Sequence, residues 1–289
     1  MVASDGGARI EDLGPADATG VLPLSIAAGW NQVVADWRFM LGAGRAFGVR
    51  QDGAWIASVL ALPLGRSVWW ISMLLVEQRH RRHGHGTRLL ARCMAEITAA
   101  GAGMGLDATE FGRPIYLPLG FRDAYPITRW SSSARVSPAR APGVGLRGAT
   151  AADLPAICAY DAARSGFERA HVLAALAARA PELAHLAFKD DRLAGYVLGR
   201  DGLRATHIGP VVADEEVIGR ALIAAAAARV RGAFIIDIID APAQHDGLGA
   251  WLAETGAAPS RRFMRMLRGG ARCAPSASHA FAVAGPELA

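Results

Sequence analysis

The sequence predicts an α/β protein built as two similar units, from three observations: a length of 289 residues, a compositional break at 131–145, and a strand, glycine loop, helix, strand order in the first half. A chain this long exceeds what one compact core usually needs, and two units of roughly 130 residues fit the usual domain size. The break, SSSARVSPARAPGVG, is rich in Ser, Pro, Ala and Gly and has no apolar period, so it reads as a linker. After it, LRGATAAD restarts the chain much as ARIEDLGPAD starts it. Each opens with a short strand and a turn ending in Ala-Asp ahead of a helical pattern, which suggests a duplication.

In the first half, RAFGVRQD and GAWIASVLALPLG read as two strands joined by a turn at 51–53. SVWWISMLLV is a nearly continuous apolar run, expected of a strand buried on both faces. It stops at Glu77, and a basic loop leads through Gly84 and Gly86 into TRLLARCMAEITAAG. There Leu89, Leu90, Cys93, Met94 and Ile97 follow the spacing of an amphipathic helix. GMGLDAT is the next strand. AGWNQVVADW reads as a helix placing Trp30 and Trp37 seven apart on one face, a spacing that fits core packing as well as a ligand wall. The final segment, ARCAPSASHAFAVAGPELA, has no clear period and is expected to be a loosely docked tail.

Composition removes several classes. With 52% hydrophobic and 20% charged residues the chain is globular rather than disordered. No apolar stretch is long enough to span a membrane, and no basic region precedes an apolar core at the N-terminus. A cytoplasmic location is expected. Cys93, Cys158 and Cys273 lie far apart without ligand spacing, so neither disulfides nor a metal site is expected. The net charge of +5 is concentrated in EQRHRRHGHGTRLLAR, where His80, His83 and His85 accompany five arginines. Such a run suits a solvated face or a pocket for a phosphorylated ligand. It lacks the interleaved aromatics of a nucleic-acid surface.

A glycine loop between a buried strand and a helix presents unpaired N–H groups at the positive end of the helix dipole, where an anion binds. The surroundings sharpen this reading. VEQRHRRHGHG, residues 76–86, resembles the acetyl-CoA motif of the GNAT acyltransferase superfamily, with its consensus positions on Arg81, Gly84 and Gly86. About thirty residues later, RPIYLPLGF resembles a second family motif, falling on Tyr116, Gly120 and Phe121.

The resemblance implies two mixed-sheet (α+β) GNAT-like domains flanked by helices. Residues 8–130 would be the catalytic unit, 131–145 a linker, 146–270 a degenerate second domain and 271–289 a tail. The loop after Val212 carries Asp214, Glu215 and Glu216 in place of the glycine motif, and such a loop would repel a pyrophosphate.

By the same resemblance, the backbone of Leu74, Leu75 and Val76 would bind the pantetheine arm of acetyl-CoA. The Arg81, Arg82, His83, Gly84, His85, Gly86 and Thr87 turn would cradle its pyrophosphate, with Thr109 where the family often has Asn. Tyr116 would be the general acid for the departing thiolate, and Asp107 a candidate base beside Glu110 and Asp36. Trp30, Asn31 and Asp36 would face the acceptor.

The expected activity is N-acetylation of a primary amine, a small molecule or amino acid, in a ternary complex. No nucleic acid or membrane partner is expected, and a homodimer is compatible. The alternative is an acyl-CoA-binding sensor without catalysis, which would have no use for Tyr116.

Overall fold

A turn closed by an aspartate starts each half of the computed structural model, which describes residues 9–134, 136, 139–240, 247–270 and 279–289. The carboxylate of Asp17 accepts the Gly14 N–H at 3.0 Å, and that of Asp153 accepts the Thr150 N–H at 2.8 Å. Each closes the bend between the first strand and the first helix of its half.

The first half runs β1 (Ile10–Leu13), α1 (Ala18–Ala27), α2 (Val34–Ala43), β2 (Arg45–Gln51), β3 (Ala54–Pro63), β4 (Val68–Val76), α3 (His85–Ala99), β5 (Gly103–Thr109), α4 (Arg113–Tyr116) and β6 (Arg122–Ser132). The second runs β7 (Val144–Gly148), α5 (Leu154–Ser165), α6 (Ala170–Arg179), β8 (His185–Lys189), β9 (Arg192–Arg200), β10 (Thr206–Ala213), α7 (Glu216–Ala227), β11 (Phe234–Ile239), α8 (Leu248–Glu254), β12 (Ala258–Arg268) and β13 (Ala280–Ala282). The strands and the amphipathic helix expected in the first half are present. The expected helix at 28–37 is not one element: Gly29, at φ +72°, ends α1, and Asp36 caps the start of α2 by accepting the Val33 N–H at 2.7 Å.

These strands form one mixed sheet in the order β1-β2-β3-β4-β5-β12-β6-β11-β13-β10-β9-β8-β7. The halves exchange their last long strands. β12 pairs with β5, Phe263 opposite Thr109 and Arg265 opposite Asp107, while β6 pairs with β11, Arg129 opposite Asp237. Each junction carries a buried ion pair: Arg265 grips Asp107 through two bonds of 2.8 Å, and Arg129 grips Asp237 at 2.7 and 2.8 Å. The segment expected as a linker ends inside strands at both sides, residues 131–132 in β6 and 144–145 in β7.

Helix α3 covers β2 to β5 with Leu89, Leu90, Cys93 and Ile97, and α7 covers the matching strands of the second half with Ile218, Leu222 and Ile223. A shared core joins the halves on the other face, from Trp37 and Trp70 to Tyr160, Phe167 and Leu173. Gly105 makes room for it, because a Cβ there would overlap the Trp70 ring.

The loosely docked tail is not observed over 279–289; residues 271–278, with Cys273, lie outside the described residues. Strands β10 and β11 pair in parallel only over Thr206–Ile208 and Phe234–Ile236, then diverge. β13 fills the gap, pairing with Val211, Val212 and Ile238 and satisfying edges that would otherwise be buried unpaired. Beyond it Leu288 enters the shared core, and the carbonyl of Pro286 accepts the Trp70 indole N–H at 2.9 Å. Three residues of strand are too short to show a period, which is why the pairing was not legible.

Candidate active site

β4 and β5 diverge as β10 and β11 do, but nothing among the described residues fills the gap. They pair over Val68–Trp70 and Gly103–Gly105. Beyond that point their facing edges open onto a cleft of about 1100 Å³. A bulge opposite β3 shifts the register between Ser58 and Leu60 and holds Met73 at φ +52°, an unusual conformation for a side-chain-bearing residue. Ser58 Oγ donates to the Met73 carbonyl at 2.8 Å and fixes it.

At the mouth, Arg82 and Gly84 both take positive φ, +66° and +79°, and Gly84 caps α3 without any side-chain hydrogen bond. The Arg88 N–H already closes on the Gly84 carbonyl at 3.0 Å. The amides of Gly86 and Thr87, just before it, are therefore first-turn donors without a helical acceptor. A Cβ at Gly84 would meet nothing within 4 Å, so the side facing that backbone is open to a ligand. This turn can hold an anion and the splayed strand edge can hold an amide-bearing chain.

Most of the expected donor-site residues border this cleft. Leu74, Val76, Arg81 and Arg82 do so at the strand end and turn, as do Gly84, His85, Gly86 and Thr87 at the helix start and Thr109 across the gap. Leu75 turns its side chain into the core, as alternation along a strand requires. His83 is exposed beside His85, their rings 6.3 Å apart, and does not line the cleft. Arg81 bends back, its Nε donating to the Val76 carbonyl at 3.2 Å. Tyr116 lies half-buried in the cleft wall, edge-on to Phe121 at 5.7 Å. Burial first, and Cys93 second, push its phenol up to about 12, so it keeps its proton at any neutral or mildly basic pH.

Three of the expected site residues are committed elsewhere. Asp107 borders the cleft, but both its oxygens are taken by Arg265. Burial raises its carboxyl above the usual range despite that arginine, so it binds β12 to β5 rather than offering a free base. Asn31 pins the 204–205 turn, donating to the Ala205 carbonyl at 2.8 Å and accepting the Arg204 and Ala205 N–H groups at 2.9 and 3.1 Å. Asp36 caps α2 and accepts from Arg179 at 2.5 Å and Arg200 at 3.0 Å. Only Trp30 of the expected acceptor trio lines the cleft.

Other lining residues were missed: Gln32 and Ser72 of the first half, Arg129 and, from beyond residue 131, Arg261, Phe263, Arg268, Pro286 and Glu287. The alternation in SRRFMRMLR marks a strand, but nothing in a single sequence says that it inserts beside β5. Asp237 and Asp240 are bound to Arg129 and to Thr128.

The model of the Acetyltransferase (GNAT) family matches residues 23–114, and that of an Acetyltransferase (GNAT) domain matches residues 157–282. The chain belongs to the GNAT superfamily, as a tandem of two GNAT domains. It is 26% identical over 239 residues to the uncharacterized N-acetyltransferase YitH of Bacillus subtilis, covering 82% of this chain and 83% of that one. A putative acetyltransferase from Pyrococcus horikoshii shares the fold with a TM-score of 0.80 at 18% identity, over 98% of this chain and 96% of the other. A tandem GNAT protein from the clavulanic acid biosynthesis pathway superposes with a TM-score of 0.60 at 18% identity, over 91% and 99% of the two chains.

Membership places this GNAT tandem among acetyltransferases, a family that generally uses acetyl-CoA as donor. Its second domain differs at the matching loop. Asp214 accepts from Tyr160 and Arg164, both at 2.8 Å, Glu215 pairs with Lys189 at 2.6 Å, and Glu216 pairs with Arg220. No described helix of the chain is long and apolar enough to cross a membrane.

Proposed function

We propose that this protein transfers the acetyl group of acetyl-CoA to a primary amine of a small molecule, with the donor bound between β4 and β5. The observation that carries the reading is the continuity of one cleft, from the left-handed turn at the start of α3, along the splayed strand edges, to Tyr116. The pyrophosphate would take amides of the turn that opens α3, those of Gly86 and Thr87 among them, with Arg81 and Arg82 adding charge. The pantetheine arm would pair with the β4 edge at Leu74 to Val76.

In the reaction the amine nitrogen attacks the thioester carbon. The carbonyl oxygen gathers charge beside backbone N–H groups of the bulged strand, the C–S bond breaks as Tyr116 gives its proton to the leaving sulfur, and the proton lost by the amine nitrogen passes through water to restore the phenol. A phenol held protonated by burial suits that task. The test is release of CoA thiol in a screen of amines, amino acids and peptides, together with calorimetry of CoA itself. One CoA bound per chain and thiol release with at least one small amine are expected; absence of CoA binding overturns the reading.

A further inference from the structure

The acceptor end of the cleft is bipolar. On one side stands Arg261, half-buried, with no hydrogen bond or ion pair among the described residues. Arg129 beside it is spent on Asp237, so Asp237 offers Arg261 little compensation. Burial, and then the charge of Arg129, hold the Arg261 guanidinium below its usual range, and Arg204 adds to the repulsion. A cation left in this position, facing a cavity rather than a carboxylate, is stabilised by an anion that arrives from outside.

On the other side, Gln32 gives its amide N–H to Glu287 at 2.9 Å. Its Oε1 is buried without a partner, as is Ser72 Oγ, and all three residues line the cleft. That hydrogen bond fixes which end of the Gln32 amide is the unpaired acceptor. Glu287 Oε1 is taken by Gln32 and Arg200, whereas Oε2 makes no hydrogen bond among the described residues. Two unfilled acceptors call for an N–H donor. Gln32, Arg129, Arg261 and Glu287 all line the one cleft, so the two poles face the same cavity.

We propose that the acceptor is a primary amine that also carries a carboxylate, an amino acid in its simplest form, with its nitrogen held at Gln32 Oε1 and Glu287 and its carboxylate held by Arg261. This rests on the cleft being the acetyl-transfer site, and it adds what that reading lacks, the charge of the acceptor. It also gives the C-terminal segment a role: the chain that β13 anchors carries Glu287 to the site.

The test measures CoA thiol release with matched acceptors, each amino acid of a panel against its own carboxamide and against the amine lacking the carboxylate. The carboxylate member should be favoured in kcat/KM by about tenfold or more, the scale of a charge-assisted contact. Arg261→Gln should erase that preference through KM for the acceptor and leave KM for acetyl-CoA unchanged. Arg261→Lys should restore part of the preference. Equal use of acids and amides by the wild-type protein, or a preference that survives Arg261→Gln, overturns the inference. Calorimetric CoA binding without turnover of any acid also overturns it while leaving the donor site standing; loss of CoA binding itself removes both.

Discussion

The two halves repeat the same sequence of elements and differ at the point where their central parallel strands part. Between β4 and β5 the gap is open and lined by the glycine turn. Between β10 and β11 it is closed by β13, and the adjoining loop carries carboxylates already paired with Tyr160, Arg164, Lys189 and Arg220. A splayed pair of strands leaves backbone donors and acceptors that must be satisfied. One half is poised to satisfy them with a ligand and the other does so with its own chain. The same architecture thus leaves an open cleft in one half and an anchorage in the other, and the anchored segment returns to the cleft with Glu287.

The largest expected effect lies at the exchanged strands. Arg265→Met leaves Asp107 buried and unpaired, and should cost about 3–5 kcal/mol in urea unfolding. Arg129→Met should do less, because Asp237 also faces His207 at 3.3 Å and feels Arg200. Burial alone would raise the Asp237 carboxyl, and the arginines, Arg129 above all, leave it lowered, whereas Asp107 stays raised. Pairing Arg265→Met with Asp107→Asn should recover most of the loss. Equal losses at the two arginines would show that the halves are held alike.

Tyr116→Phe comes next and concerns only the open half. Loss of the hydroxyl should lower kcat by roughly 100-fold with acetyl-CoA affinity kept. Tyr160, near the closed half's acidic loop, is the control: its hydroxyl is spent on Asp214, so Tyr160→Phe should alter stability modestly and kcat little. Near-normal kcat in Tyr116→Phe would return that tyrosine to a packing role.

His207 sharpens the contrast through pH. Burial holds its imidazole down to about 3, and its Nδ1 lies 3.4 Å from an Arg200 Nη, a contact that suits the neutral ring. The unfolded chain takes up a proton near 6.5 and the folded one does not, so the stability from this group is full above that value and is lost as pH falls towards 3. About 2 kcal/mol should disappear between pH 7.5 and 5. His207→Gln should flatten that part of the profile by the same amount in denaturant titrations.

What the sequence made legible follows the range of the interactions. The glycine turn, the apolar run of β4 and the amphipathic face of α3 are local patterns, and each stands where its spacing placed it. The Ala-Asp turns at the start of both halves are local too. The insertion of β12 beside β5 joins residues more than a hundred positions apart, and the return of Glu287 depends on β13 pairing with strands dozens of positions back, with no periodic trace. Asn31 and Asp36 illustrate the same limit: the resemblance placed them at the acceptor, but their partners, Ala205, Arg179 and Arg200, lie in the other half.

The smallest expected change is at Gly86, and its two readouts should move in opposite directions. Gly84 is a poor place to probe the turn, because its φ of +79° makes any side chain strain the backbone as well as crowd a ligand. Gly86 lies inside α3 with no positive φ, and an added Cβ would meet only Val76 Cγ2 at 3.4 Å, an ordinary contact. Gly86→Ala should therefore leave stability unchanged or raise it by about 0.5 kcal/mol, alanine being the better helix former. The methyl nevertheless stands beside the amides that would receive the pyrophosphate, so CoA affinity should fall by about tenfold, the equivalent of one weakened charge-assisted contact. Glu215→Ala, at the matching turn of the closed half, should leave both CoA affinity and the single-site stoichiometry as they were. Calorimetry and thermal unfolding of the two variants separate the cases: a Gly86→Ala protein that is as stable as wild type and binds CoA as well would mean that the ligand does not approach this turn.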